Sequence, residues 1–230
     1  MSLSRRGFII SGAAAAAGAA AQTTAAAATP AQGAAAQAPA KLMPADRMPE
    51  LAPDKMTEAQ KKAAADFQAG RGVPVFGPFV PLLRSPEVML RAMSMGDYLR
   101  YKTVLPAQLN EFIILITARQ WTQEYEWAVH HPIALKAGLK PEIAQAVAEG
   151  RRPQGMSPDE EMVYDFCIEL HRNQSVCDQT YQRVLSKFGE QGVIDIIGVN
   201  GYYVFLAMVL NTARTALPKN ASPGLAAFPH

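Results

Sequence analysis

An all-α fold follows from three features of the sequence. No run alternates polar and apolar residues convincingly at a period of two, so no half-buried strand is indicated. Apolar residues cluster instead at helical spacing behind recurrent helix starts: Thr57 with Gln60 three residues on, Ser85-Pro86, Pro106, Pro141 and Ser157-Pro158. Gly70, Gly138 and Gly150 stand where those segments should stop.

Taken in order, Thr57 opens a helix that stops at Gly70. Gly72 to Pro81 holds Pro74, Gly77, Pro78 and Pro81 and reads as a loop; its Val75, Phe76, Phe79 and Val80 should pack onto the core. Ser85-Pro86 starts a second helix, to about Tyr101. Pro106 starts a third that is apolar nearly all round (Phe112, Ile113, Ile114, Leu115, Ile116), and so a core helix. A polar turn near Thr122 and Gln123 leads to a fourth, running to Gly138 and bent at Pro132. A short helix spans Pro141 to Glu149. Another starts at Ser157-Pro158, with Glu160 and Glu161 in its first turn, and ends near His171. Asp178 is expected to cap a helix to Phe188. Gln191 to Arg214 is long and apolar, but Gly198 and Gly201 break it and Asp195 and Asn200 interrupt it. That pattern argues for a buried helix pair or a kinked helix over a membrane span.

The termini carry different information. Arg5-Arg6-Gly7-Phe8 followed by a weakly apolar, Ala-rich run has the order of a twin-arginine export signal. A short membrane anchor is the alternative, and it would need stronger Leu, Ile and Phe content. The reading divides the chain into a signal over 1–28 with cleavage up to about 40, a disordered Ala/Pro-rich tether over 29–54, one helical domain over 55–217 and an irregular tail over 218–230. The mature protein is expected to be periplasmic or secreted and free of the membrane. Without Arg5 and Arg6, the 22 basic residues fall level with the 20 acidic ones. No basic patch then points to nucleic acid. Cys167 and Cys177 have neither redox-pair nor zinc spacing; a local disulfide and two free thiols both fit.

The chemistry concentrates in the third and fourth helices. Glu111 leads an apolar stripe of Ile114, Leu115 and Ala118, and an unpaired charge buried there would be very costly. Glu126 and His130, about 40° apart on one helical face, are candidate partners. His131 is rotated about 100° from His130 and reads as a core or surface histidine. Arg119, about 80° around from Glu111, either sits at a pocket rim holding a substrate carboxylate or forms a surface ion pair. Trp127 and Tyr203 are assigned to substrate binding; aromatic residues at such positions more often pack than react, so Trp121, Tyr125, Tyr202 and Tyr203 are read as pocket wall and not as catalytic groups.

The run Glu111-x(14)-Glu126-Trp127-x-x-His130-x-x-x-Ala134-x-x-x-Gly138-Leu139 resembles the carboxymuconolactone decarboxylase family, which is related to the alkyl hydroperoxidase D-like proteins. The resemblance covers roughly residues 80–215. It implies a compact helical bundle assembling as a homotrimer or homohexamer, with Glu111, Glu126 and His130 as catalytic residues and no cofactor. The peroxidase branch carries a Cys-x-x-Cys pair between its glutamate and histidine. Here Gln123 and Glu126 hold those two positions, so no thiol remains there to reduce a peroxide.

What remains is an acid–base set. The expectation is a cofactor-independent lyase or isomerase acting on a small carboxylated or lactone substrate. His130 would protonate the carbon left by departing carbon dioxide. Glu111 would orient His130 or act as the acid itself, and Glu126 would hold the imidazole tautomer. Two carboxylates and a histidine also suit Mn, Fe or Zn, although the resemblance implies no metal. A non-catalytic oligomer binding a small molecule is the other alternative.

Overall fold

The computed structural model describes residues 46–225, so the expected export signal, most of the tether and the last five residues lie outside it. Among the described residues the fold is all-α, with no strand. A 3-10 turn, Pro53–Lys55, precedes eight helices: α1 (Glu58–Arg71), α2 (Phe79–Leu82), α3 (Pro86–Tyr101), α4 (Ala107–Gln120), α5 (Glu124–Lys136), α6 (Pro141–Ala148), α7 (Pro158–Asn173) and α8 (Asp178–Ala213).

Local sequence accounts for most of the helix ends. Thr57 and Gln60 form a reciprocal capping box at α1, and Ser157 and Glu160 form a second at α7. The stretch expected as a loop before α3 contains one helical turn, α2. Its aromatic anchors do pack inward, Phe79 against Phe67 at 4.8 Å between ring centroids and Phe76 against Phe67 at 5.9 Å. α5 continues through Pro132 to Lys136.

α4 is the axis of the bundle. Every residue from Leu109 to Arg119 is buried, and α3, α5, α6, α7 and α8 all pack against it. An apolar surface on all sides needs neighbours on all sides, which is why this helix became the centre. α3 and α8 are joined by a polar clasp: buried Asp195 accepts from Tyr98 Oη at 3.1 Å and from the backbone N–H of Val104 at 3.0 Å.

α8 breaks between the two expected segments, one to Phe188 and one from Gln191, and not at the two glycines expected to break the second. Gly198 and Gly201 lie within continuous helix, and the non-helical residue is Gly189, at φ 68° and ψ −177°. That backbone region is essentially restricted to glycine. Cys177, not Asp178, is the N-cap and makes no side-chain cap bond; Glu169 of α7 accepts from its N–H at 2.7 Å instead. Among the described helices only α8 is long and apolar enough to cross a membrane, but 56% of its most apolar window is buried inside the domain.

The last residues of the expected tether are tied to the domain. Arg47 donates its N–H to the Ala213 carbonyl at 2.7 Å, and Arg84 Nη2 donates to the Pro49 carbonyl at 2.7 Å. These bonds span more than a hundred residues in one case, so composition around Pro49 carried no sign of them.

A Cβ at Gly189 would meet nothing within 4 Å, so the cost of Gly189→Ala is confined to the backbone. The variant is expected to lose about 1–3 kcal/mol in urea denaturation with its helical circular dichroism retained. An unchanged midpoint would mean that the break relaxes into helix at no cost.

Candidate active site

The α4–α5 hairpin is built by its turn. Thr122 takes a left-handed φ of 44°, and the backbone N–H of Gln123 donates to the Ala118 carbonyl at 2.8 Å. The Gln123 side chain caps α5, accepting from Tyr125 N at 2.6 Å and Glu126 N at 3.2 Å, while its Nε2 donates to Asn211 Oδ1 at 2.9 Å. The Gln123 side chain is thus held at the helix start, between α5 and Asn211. The turn folds α5 back along α4, which brings the three expected catalytic residues together.

His130 lies buried between the two carboxyl groups. Its Nδ1 is 2.7 Å from Glu111 Oε2, and its Nε2 is 3.5 Å from Glu126 Oε2. A carboxylate only accepts, so Nδ1 carries the hydrogen toward Glu111 and Nε2 faces Glu126. Glu111 thus holds the shorter contact to the ring, as its expected orienting role requires, and Glu126, expected to hold the tautomer, has the longer one at the other nitrogen. Among the described residues, no group of three His, Cys, Asp or Glu side chains is arranged to hold a metal ion.

The two carboxyls are not equivalent. Glu111 has a second neighbour, Arg100 Nη2 at 3.8 Å. Glu126 is buried with no hydrogen-bond partner at Oε1 among the described residues. Burial pushes the Glu126 pKa above the ordinary carboxyl value. His130 and Arg100 pull against that push, and the Glu111 charge adds to it. Tyr203 meets the His130 ring edge-on at 5.1 Å and 86° between planes; burial, with Glu126 nearby, holds its phenol well above the usual range. Burial opposes the Arg100 charge, but Tyr203, Tyr101, Glu111 and Glu126 outweigh it and raise its pKa.

These groups open onto a small cleft of about 50 Å³. Arg71, Arg100, Phe79, Tyr202 and Tyr203 line it with Glu126 and His130. A larger cavity, about 440 Å³, lies against α1 and the segment from Glu50 to Met56. Glu50 and Gln68 are its only polar side chains. Size alone favours that groove. Convergent titratable groups favour the cleft, and they decide, because proton transfer needs them within hydrogen-bond reach.

Glu111 stands behind His130 and does not itself line the cleft, and two of the three expected substrate-binding residues, Arg119 and Trp127, are also absent from its lining. Arg119 follows Glu111 by eight residues, about 12 Å along the axis of α4. It is buried against Gly150 and lines a different, smaller cavity with Tyr164 and Arg172. Trp127 stacks on His131 at 5.4 Å and lies beside Gly224 of the tail. His131, four residues on, is its neighbour about 40° around the helix, while Glu126 is about 100° away. Of the aromatic residues expected as possible wall, Tyr125, Tyr202 and Tyr203 line the cleft and Trp121 does not.

Sequence reasoning missed Arg71 and Arg100. Each stands in the last turn of a helix, where a basic residue ordinarily complements the helix dipole, and that reading concealed them. The thiols are remote from this chemistry and both are free. Cys167 is buried, and burial raises its pKa to about 12, so it is held as a neutral thiol.

A carboxyl whose folded pKa is raised stabilises the fold while protonated, and that contribution is lost as pH rises through the folded value. Wild-type stability should therefore fall relative to Glu126→Gln as pH increases from about 4, near the unfolded carboxyl value, through the raised Glu126 pKa. Urea midpoints across that range check this; parallel curves for the two proteins would contradict it.

No protein-family model and no curated protein matches this chain. Among solved structures, it is similar to the alkylhydroperoxidase AhpD core of an uncharacterized peroxidase-related protein from Ralstonia eutropha JMP134. The TM-score is 0.61, with 16% identity over 76% of this chain and 94% of that one. A protein of unknown function from Agrobacterium tumefaciens aligns with a TM-score of 0.49 and 15% identity, over 59% of this chain and 93% of that one. The helical bundle described above thus has the alkylhydroperoxidase D core fold.

Proposed function

We propose that the chain is an exported member of the alkyl hydroperoxidase D-like superfamily, of the carboxymuconolactone decarboxylase branch. In this reading it is a cofactor-independent lyase or isomerase that works by acid–base chemistry on a small carboxylated or lactone substrate. The observation that carries the proposal is the His130 ring buried between two carboxyl groups, one tied and one with a free oxygen.

In a decarboxylation the bond from the substrate carbon to its carboxylate breaks and carbon dioxide leaves. The bonding electron pair passes into an adjacent carbonyl or lactone system as an enolate. Glu126, whose raised pKa keeps a proton available, protonates the carbon left behind, and His130 relays a proton to or from Glu126 through Nε2. Glu111 holds the ring through Nδ1 and stabilises its charged form. General acid–base catalysis of this kind supplies about 10² to 10⁴-fold.

A thiol peroxidase reading is chemically disfavoured. The neighbour from Ralstonia eutropha is described as peroxidase-related, but here Gln123 caps a helix where a reactive cysteine would be needed, and Cys167 is neutral and remote.

Assembly as a homotrimer or homohexamer is part of the proposal. An apolar stripe on α8 supports it: Ile194 is 65% exposed, Ile197 41% and Met208 46%. Met95 on α3 adds to the uncovered apolar surface at 48%.

Glu111→Gln should abolish turnover against a panel of γ-lactones and β-keto acids while leaving helical circular dichroism intact. Full activity in that variant would end the proposal. Light scattering of the purified protein is expected to give a trimeric or hexameric mass, and a monomer at micromolar concentration would remove the assembly.

A further inference from the structure

Beyond the proton-transfer groups, the cleft holds a coincidence of unmet polar atoms. Arg71 Nε, Arg100 Nε and Glu126 Oε1 are all buried, and none has a hydrogen-bond partner among the described residues. All three side chains line the same 50 Å³ space. Leaving one such group unsatisfied costs about 1–3 kcal/mol, so three in one cleft call for a reason.

Neighbouring protein groups do not supply it. The Glu111 carboxylate approaches Arg100 Nη2 only to 3.8 Å, beyond hydrogen-bond length. Arg71 spends Nη2 on Asp97 Oδ1 at 2.8 Å and leaves Nε over. Both guanidinium planes are held by rings. Arg71 lies over Phe79 at 4.6 Å and over Phe67 at 5.2 Å, and Arg100 lies over Tyr101 at 5.1 Å. Stacked guanidinium groups with spare N–H donors are built for a planar acceptor with two oxygens. A carboxylic acid at Glu126 would add a third donor directed at the same kind of partner.

We propose that Arg100, with Arg71 beside it, anchors the carboxylate of a short-chain acid in this cleft and sets the register of that acid against His130. The subsite rests on the reading of the cleft as the acid–base site and sharpens it. The substrate is an anion there, and a neutral lactone lacking a carboxylate is a poor one. Arg100 is a binding residue, and the substrate-holding role expected of Arg119 passes to it. The small volume limits the anchored portion to a few heavy atoms.

Propanoate, with propanamide as its neutral counterpart of similar shape, serves as the probe. Binding to the full-length protein is followed through the imidazole NMR resonances of His130. Propanoate should shift them saturably and bind at least about tenfold more tightly than propanamide. Arg100→Gln should weaken propanoate by about tenfold or more and leave propanamide unchanged, and Arg100→Lys should recover part of the loss. Equal affinity for the two probes, no saturable shift with propanoate, or full affinity in a folded Arg100→Gln protein would each overturn the inference. Should Arg100→Gln fail to fold, the wild-type preference for propanoate and the Arg100→Lys affinity still decide. The Glu111→Gln turnover assay is independent of this result: lost turnover without carboxylate preference removes the subsite alone, and the reverse removes the catalytic reading alone.

Discussion

The 2.7 Å contact between Glu111 and His130 is the constraint around which the bundle is arranged. A carboxylate in the wall of the central helix loses its water on folding and must be met by charge or by a hydrogen-bond donor. α5 delivers that donor from the far side of a turn, and the turn is itself held by a left-handed Thr122 and a capping Gln123. Tightening the hairpin and satisfying Glu111 are therefore one event. Removing the imidazole would leave Glu111, among the described residues, with Arg100 at a longer distance.

Once Glu111 is tied, the asymmetry of the site follows. His130 has two nitrogens, and fixing one directs the other at Glu126. The two glutamates begin with the same intrinsic acidity, and their surroundings separate them. One is held beside a guanidinium and an imidazole; the other is buried with a free oxygen and a raised pKa. Separated environments of this kind are how a pair of like groups acquires different roles in proton transfer.

Packing decides how closely the remaining walls approach. Gly96 on α3 gives room to the Tyr202 hydroxyl, which would lie 2.3 Å from a Cβ at that position. Tyr202 in turn meets Tyr203 edge-on at 5.3 Å, and Tyr203 meets His130. An absent methyl on α3 thereby sets the place of a ring against the imidazole. Arg71 on α1 and Arg100 on α3 line the same cleft, and α1 and α3 pack on each other.

The helical class, the starts at Thr57 and Ser157 and the burial of α4 were legible in the sequence, because capping and periodicity act between residues fewer than ten positions apart. The trio was legible for a related reason: a short turn between two helices leaves few ways to place a buried Glu111 near an imidazole on the next helix. Arg71, Arg100 and the tethering of Arg47 to Ala213 were not, since those partners meet only after α1, α3 and α8 have packed. Arg119 and Trp127 show the limit from the other side. Helical angle suggested a shared face, but axial rise carried Arg119 away, and Trp127 stacks on its i+4 neighbour His131 instead of entering the cleft. Sequence by itself determined which groups must be buried and paired. The tertiary structure decided which partners they found, because that choice depends on distances between helices that no local spacing encodes.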